Sequence, residues 1–413
     1  MRFAVIVILA ACAPPPARPA TITDAPDTLP ADAQRRYTIW LGGSQVGTAA
    51  ETERWSSAGV VLRRTEALQF LRAEAQVALT TTIEIHASRA LVPSLVRWSE
   101  VGGIERRGEA TRDSRGWHVV IGSTRTTLPA SALPAELVPL VLRRDGGYHG
   151  AVFLPARGFI AGSGRVESVA PSRYVARLVL DAGPVVEATI DIGADGSPAR
   201  VVDGEGVIAM RATDAQALAP FPLVDLIAAT SIPLTGTPSH RIALTGDLAL
   251  PALPGQAAMP SATNLELELS PSLPGDLPAG DHGADRSSDI TALVVGVRAR
   301  IAPDLGAGMS SARDVAAATA GDCTTFALAY AALATRAGIP TRVVTGLRID
   351  GDHLIRHRWA VSWTGRAWIA VDAAFGAAPA GGDLIGLAIH DADDAGLIAG
   401  EAALTHVRGA AWR

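Results

Sequence analysis

Cys323 is one of only two cysteines in 413 residues, and its setting is unusual. It follows Gly321-Asp322 and precedes Thr324-Thr325 and the alanine- and leucine-rich run 326–337, which stops at Gly338-Ile339-Pro340. Such a run predicts a helix with the cysteine in its first turn and a glycine at its end. At a helix N-terminus the unpaired N–H groups and the macrodipole favour an anion, so a thiolate there is stabilised. The same N–H groups can meet an oxyanion forming beside the sulfur. A free cysteine is also commonly an inert, buried apolar residue, and the helix alone does not separate the two readings.

Partners for the sulfur stand downstream of the helix. Residues 341–347 and 356–363 have strand character, and after a turn at Gly365 so does 368–372. In a hairpin of the last two, His357 and Asp372 sit on neighbouring strands, where facing side chains approach at ~4.5–5.5 Å between Cβ atoms. If the helix packs on that sheet, Cys323, His357 and Asp372 come together as nucleophile, base and the carboxylate that fixes the imidazole. That is the activated-thiol arrangement used for acyl transfer.

The rest of the chain must build this platform, and 413 residues are enough for two domains at ~100–200 residues each. Apolar residues make up 48% and charged residues 19%, so a disordered chain is disfavoured, and two cysteines exclude a disulfide scaffold. Net charge is -5, which gives no general attraction to nucleic acid. All 36 basic residues are arginine. Without lysine, the chain cannot cross-link to itself through the usual amine donor.

Residues 1–12 give one arginine, an unbroken apolar run and then Leu9-Ala10-Ala11-Cys12. The run is too short to span a bilayer and fits an export signal over 1–11. Leu9 to Cys12 resembles a bacterial lipobox, which implies lipidation of Cys12 and a protein held at the cell envelope by a lipid anchor. Residues 12–33, rich in proline, are expected to form an extended tether.

From 34 to 230 short runs rich in Val, Ile, Thr and aromatics alternate with glycine-containing turns, predicting a β-rich antiparallel domain, a sandwich or a large curved sheet. Candidate strands include 37–41 with a turn at Gly42-Gly43, then 60–62, 77–85, 117–121, 174–180 and 185–192; residues 134–143 predict one short helix. No repeat period stands out. The stretch 231–283 shifts to Pro, Leu, Ala and Ser and is expected to connect the domains, with strand-like pieces at 241–250 and 265–269. Residues 284–413 form the second domain, opening with a helix over 290–301.

Between about 310 and 376 the chain resembles the transglutaminase-like superfamily. The resemblance rests on Ser311-Ala312-Arg313-Asp314-Val315, Gly321-Asp322-Cys323, the block 337–346, His357-Arg358-Trp359, and Trp368 with Val371-Asp372-Ala373-Ala374-Phe375-Gly376. It implies a papain-like α+β core with Cys323 as nucleophile, His357 as general base and acid, and Asp372 as the orienting residue, acting on a protein or peptide. Two departures stand in the motif: Arg358 and Ala360 flank Trp359 where the family usually has a small or aromatic residue and an acid, and Ala373 replaces a common proline. No side-chain donor for an oxyanion hole is identifiable.

His353, Asp350 and Asp352 near His357 raise a metal site, but two histidines four apart supply at most two ligands, and no metal or cofactor is expected. Trp359, Trp363 and Trp368 suit a core, with Trp359 also a candidate substrate-binding wall beside His357. Asp322 suits a helix N-terminal acid. The competing functional class is a non-catalytic envelope lipoprotein that binds protein or glycan through the β-rich domain.

Overall fold

The computed structural model describes residues 29–102, 105–180, 185–204, 206–259, 265–307 and 312–413. The expected export signal, Cys12, most of the tether and Ser311 therefore lie outside the described residues.

The chain is α+β, with a β-rich first part and a mixed second part. The first part is one fifteen-stranded sheet. Eight strands, from Ala33–Leu41 to Thr124–Leu128, each lie beside their predecessor, and seven more, from Leu133–Pro134 to Ile208–Ala212, do the same. The two meanders join because Ile208–Ala212 pairs antiparallel with Ala33–Leu41. A two-glycine turn makes the opening hairpin: Gly42 and Gly43 have φ of +57° and +77°, a left-handed pair that matches strand twist and that side chains resist.

Inward residues of this sheet alternate as a one-sided core requires. Val60, Leu62, Ile85, Val96, Ala110 and Trp117 share a buried cluster with Leu137, Leu140 and Val141. The last three come from a short 3₁₀ turn and the helix Val138–Asp145, which packs on the inward residues of the sheet and stops at Gly146, φ +74°. One continuous sheet, rather than the two packed sheets of a sandwich, is what forms among the described residues.

The second part is organised by a ten-stranded sheet. Its centre is the antiparallel pair Thr341–Asp350 and His353–Trp363, flanked by Leu384–His390 and Trp368–Asp372. The helices Ser287–Arg300 and Cys323–Arg336 pack on it through Ile290, Val294, Val297, Phe326, Leu328 and Tyr330. A buried polar chain fixes the second helix: Tyr330 Oη lies 2.8 Å from Ser362 Oγ, which lies 2.8 Å from Thr341 Oγ1.

The proline-rich stretch does more than connect. Ile232–Thr235, Arg241–Gly246, Gln256–Met259 and Leu265–Leu269 join this same sheet beside the last strand, Val407–Trp412. Ile242, Leu244, Leu267 and Leu269 alternate inward and are buried, while Pro251, Pro254, Pro271, Pro274 and Pro278 fall outside strands. No helix among the described residues is long and apolar enough to cross a membrane.

Candidate active site

Asp322 caps the helix that begins at Cys323. Its Oδ1 accepts the N–H of Thr324 at 3.0 Å and of Thr325 at 3.3 Å, satisfying two of the helix's unpaired donors. Gly321 is needed just before it, because a Cβ there would come within 2.2 Å of Thr325 Oγ1. The cap is held from the other domain. Arg72, the last residue of the strand Gly59–Arg72, places Nη2 at 2.6 Å from Asp322 Oδ2, with side-chain exposures of 18% and 4%.

The hairpin delivers the other two groups. Ala360 pairs with Val371, so Asp372, one step on, lies diagonally across from His357 on the same face. His357 Nε2 is 2.8 Å from Asp372 Oδ2, and both side chains are buried. Asp372 is itself fixed: its Oδ1 accepts the N–H of Ala374 at 3.1 Å and of Phe375 at 3.2 Å. The Cys323 sulfur is close enough to act on the same imidazole. Burial alone would lower the His357 pKa, but the hydrogen bonds and charges of Asp372 and the Cys323 sulfur outweigh it and raise it to about 9. A proton is therefore held on the ring at neutral pH. Cys323, His357 and Asp372 are thus brought together, with the thiol partly exposed.

Trp359 is not a substrate wall. It is 2% exposed and packs among Leu253, Val344 and Val361. Its ring stacks on His357 at 6.0 Å between centroids and 19° between planes, bracing the imidazole from within the core. Phe375, 57% exposed, meets His357 edge-on at 5.5 Å. His353 pairs with Asp352 at 2.6 Å on the surface, and among the described residues no group of three or more His, Cys, Asp or Glu is placed to hold a metal.

Arg358, a departure in the motif, is 6% exposed and binds three elements. Nε donates to Thr345 Oγ1 at 2.9 Å, Nη1 to Thr324 Oγ1 at 2.8 Å and Nη2 to Glu401 Oε1 at 2.7 Å. Thr324 is the residue after Cys323. Glu401 lies on the helix Asp394–Leu404, capped by Asp393. The network continues through Thr345 Oγ1 to His390 Nε2 at 2.9 Å, while His390 Nδ1 lies 2.8 Å from the Asp391 carbonyl. That geometry suits a neutral ring with its proton on Nδ1, and burial, aided by the Arg358 charge, lowers the His390 pKa to about 3. Sequence reasoning missed Arg358, Glu401 and Arg72, because each acts through partners far away in the chain.

Cys323 and His357 open into a cavity of about 1400 Å³. Its opposite wall is the inner face of the first sheet, including Tyr37, Arg64, Trp98 and Arg72.

No curated protein matches the chain. Among solved structures, a beta-barrel-like protein of a domain of unknown function from Brucella abortus is similar at 10% identity and a TM-score of 0.34, over 44% of this chain and 95% of that one. A protein from Cytophaga hutchinsonii described as a candidate cysteine protease is similar at 14% identity and a TM-score of 0.23, over 40% of this chain and 76% of that one. Residues 282–373, which contain Cys323, His357 and Asp372 in that order, match the transglutaminase-like superfamily. The C-terminal third of the chain is therefore built around a transglutaminase-like domain.

Proposed function

We propose that the protein is a thiol-dependent enzyme that cleaves or transfers amide bonds of a protein or peptide through Cys323, His357 and Asp372. The observation that carries this reading is His357 held between the Asp372 carboxylate and the Cys323 sulfur at the edge of a cavity.

The sulfur attacks the amide carbon and the carbonyl electrons move to oxygen. The backbone N–H of Cys323, first in its helix, meets that oxyanion, since Asp322 already occupies the N–H groups of Thr324 and Thr325. His357 gives its proton to the departing nitrogen as the C–N bond breaks, leaving an acyl-thioester. Water or an amine then adds to the thioester while His357 takes a proton from it, and the thiolate leaves. Asp372 holds the ring in register throughout. Water yields a peptidase or amidase, and an amine yields a transglutaminase.

The test is incubation with casein and dansylcadaverine. New amino termini mark hydrolysis, fluorescent casein marks aminolysis, and both should vanish in Cys323→Ala. If neither product forms and iodoacetamide labels Cys323 no faster than a free thiol, the catalytic reading fails and a binding role replaces it. We further propose an envelope location by lipidation at Cys12; Cys12→Ser should move the protein from the membrane fraction to the soluble one.

A further inference from the structure

The cavity beside Cys323 continues along the inner face of the first sheet, and strand register sets its layout. On Gly59–Arg72, Arg72 lies at Asp322; next on the same face come Phe70 and Leu68, facing Val77 and Leu79, and then Glu66 and Arg64. At ~3.4 Å per residue, Glu66 is about 20 Å from Arg72. Moving away from Arg72 along this strand, the inward residues are first apolar and then polar.

The polar band contains buried groups with nothing to bind. Tyr37 is 1% exposed and Trp98 4%, yet Tyr37 Oη and Trp98 Nε1 make no hydrogen bond, and neither does the buried Oε2 of Glu136. All three residues line the cavity. Register puts Tyr37 opposite Ala49 and Ala49 opposite Glu66, which places the phenol in the band. The guanidinium groups of Arg64 and Arg211 each lie 5.3 Å from the Tyr37 ring centre, and burial pushes the phenol pKa up to about 12, so it stays a donor. Buried polar groups ordinarily find partners, and the three residues that carry these groups line one cavity.

We propose that this band is a distal substrate subsite, taking the hydrogen-bonding groups of a peptide whose reacting amide sits at Cys323 and whose intervening residues are apolar. Tyr37 and Trp98 donate to amide carbonyls or a terminal carboxylate, and Glu136 accepts a chain N–H. The distance corresponds to roughly six extended residues. The β-rich domain is then a specificity element of the enzyme. This rests on the proposed thiol chemistry only in needing a substrate at Cys323.

The test compares alkylation of Cys323 in the full chain by iodoacetamide and by an iodoacetyl-capped hexapeptide, apolar next to the cap and serine-rich beyond. Each rate is normalised to that with glutathione. The hexapeptide should react at least about tenfold faster, and Tyr37→Phe or Glu136→Gln should each remove about five- to tenfold of that gain while leaving the iodoacetamide rate unchanged, as loss of one hydrogen bond requires. No gain for the hexapeptide, or a gain untouched by both variants, overturns the subsite. Slow labelling by iodoacetamide itself would instead sink the thiol chemistry.

Discussion

Replacing Arg72 with methionine removes a charge from the first domain and should be felt at a sulfur in the second. Arg72 neutralises Asp322, whose side chain is 4% exposed and adjacent in sequence to Cys323. Methionine keeps most of the apolar stem but leaves the carboxylate uncompensated. At ~6 Å and an effective dielectric of ~20, a unit charge acts on a thiolate with about 3 kcal/mol. Water in the cavity screens about half of this, leaving about 1.4 kcal/mol, or about tenfold in rate. Iodoacetamide labelling of Cys323 at fixed pH should therefore slow about tenfold in Arg72→Met, with circular dichroism unchanged. Asp322→Asn in the same chain should restore most of the rate, because the offending charge is gone. A rate within twofold of wild type refutes the electrostatic link, and failure of the double variant to recover means that the pair acts by holding the helix in place.

Asp372→Asn should lower amide-bond turnover by about 10²–10⁴-fold and move the alkaline limb of its pH profile, expected near pH 9, toward lower pH, since Asp372 helps keep the proton on His357. The combined contribution of the two buried histidines to stability should peak near pH 6.5. His357, raised from 6.5 to about 9, contributes fully below pH 6.5 and loses about 3 kcal/mol as pH rises through 9, whereas His390, lowered to about 3, withdraws up to about 5 kcal/mol as pH falls from 6.5 toward 3. Urea unfolding across that range checks both limbs, and His390→Gln should flatten only the acid one. Arg358→Met should cost about 2–3 kcal/mol in the same measurement and lower kcat more than it raises KM, because its three partners include Thr324 beside the nucleophile.

The parts of the site that were legible in the sequence are those fixed by local rules. Asp322 before Cys323 and Gly338 after the helix announce its two ends, and the Gly365 turn announces the hairpin that carries His357 and Asp372. Strand periodicity located 117–121 and 185–192 and placed 37–41 against Gly42-Gly43. Trp359 was ambiguous because alternation along a strand tells which residues share a face but not whether a second layer covers it. Here Leu253, from a proline-rich segment more than a hundred residues away, supplies part of that cover. The same limit hid Arg72. Nothing near an arginine at a strand end reveals that it meets a helix cap some 250 positions later.

Ala33–Leu41 is the first strand among the described residues, yet it lies in the middle of its sheet, with Ser44–Ser56 on one side and Ile208–Ala212 on the other. As the polypeptide emerges, this strand keeps an open edge until Ile208–Ala212 has been made. Closing that seam demands contacts of very high sequence separation, which makes assembly slow and leaves a sticky backbone ladder exposed meanwhile. A holdase acting early, before residue 212 appears, would shield that ladder until its partner strand is made.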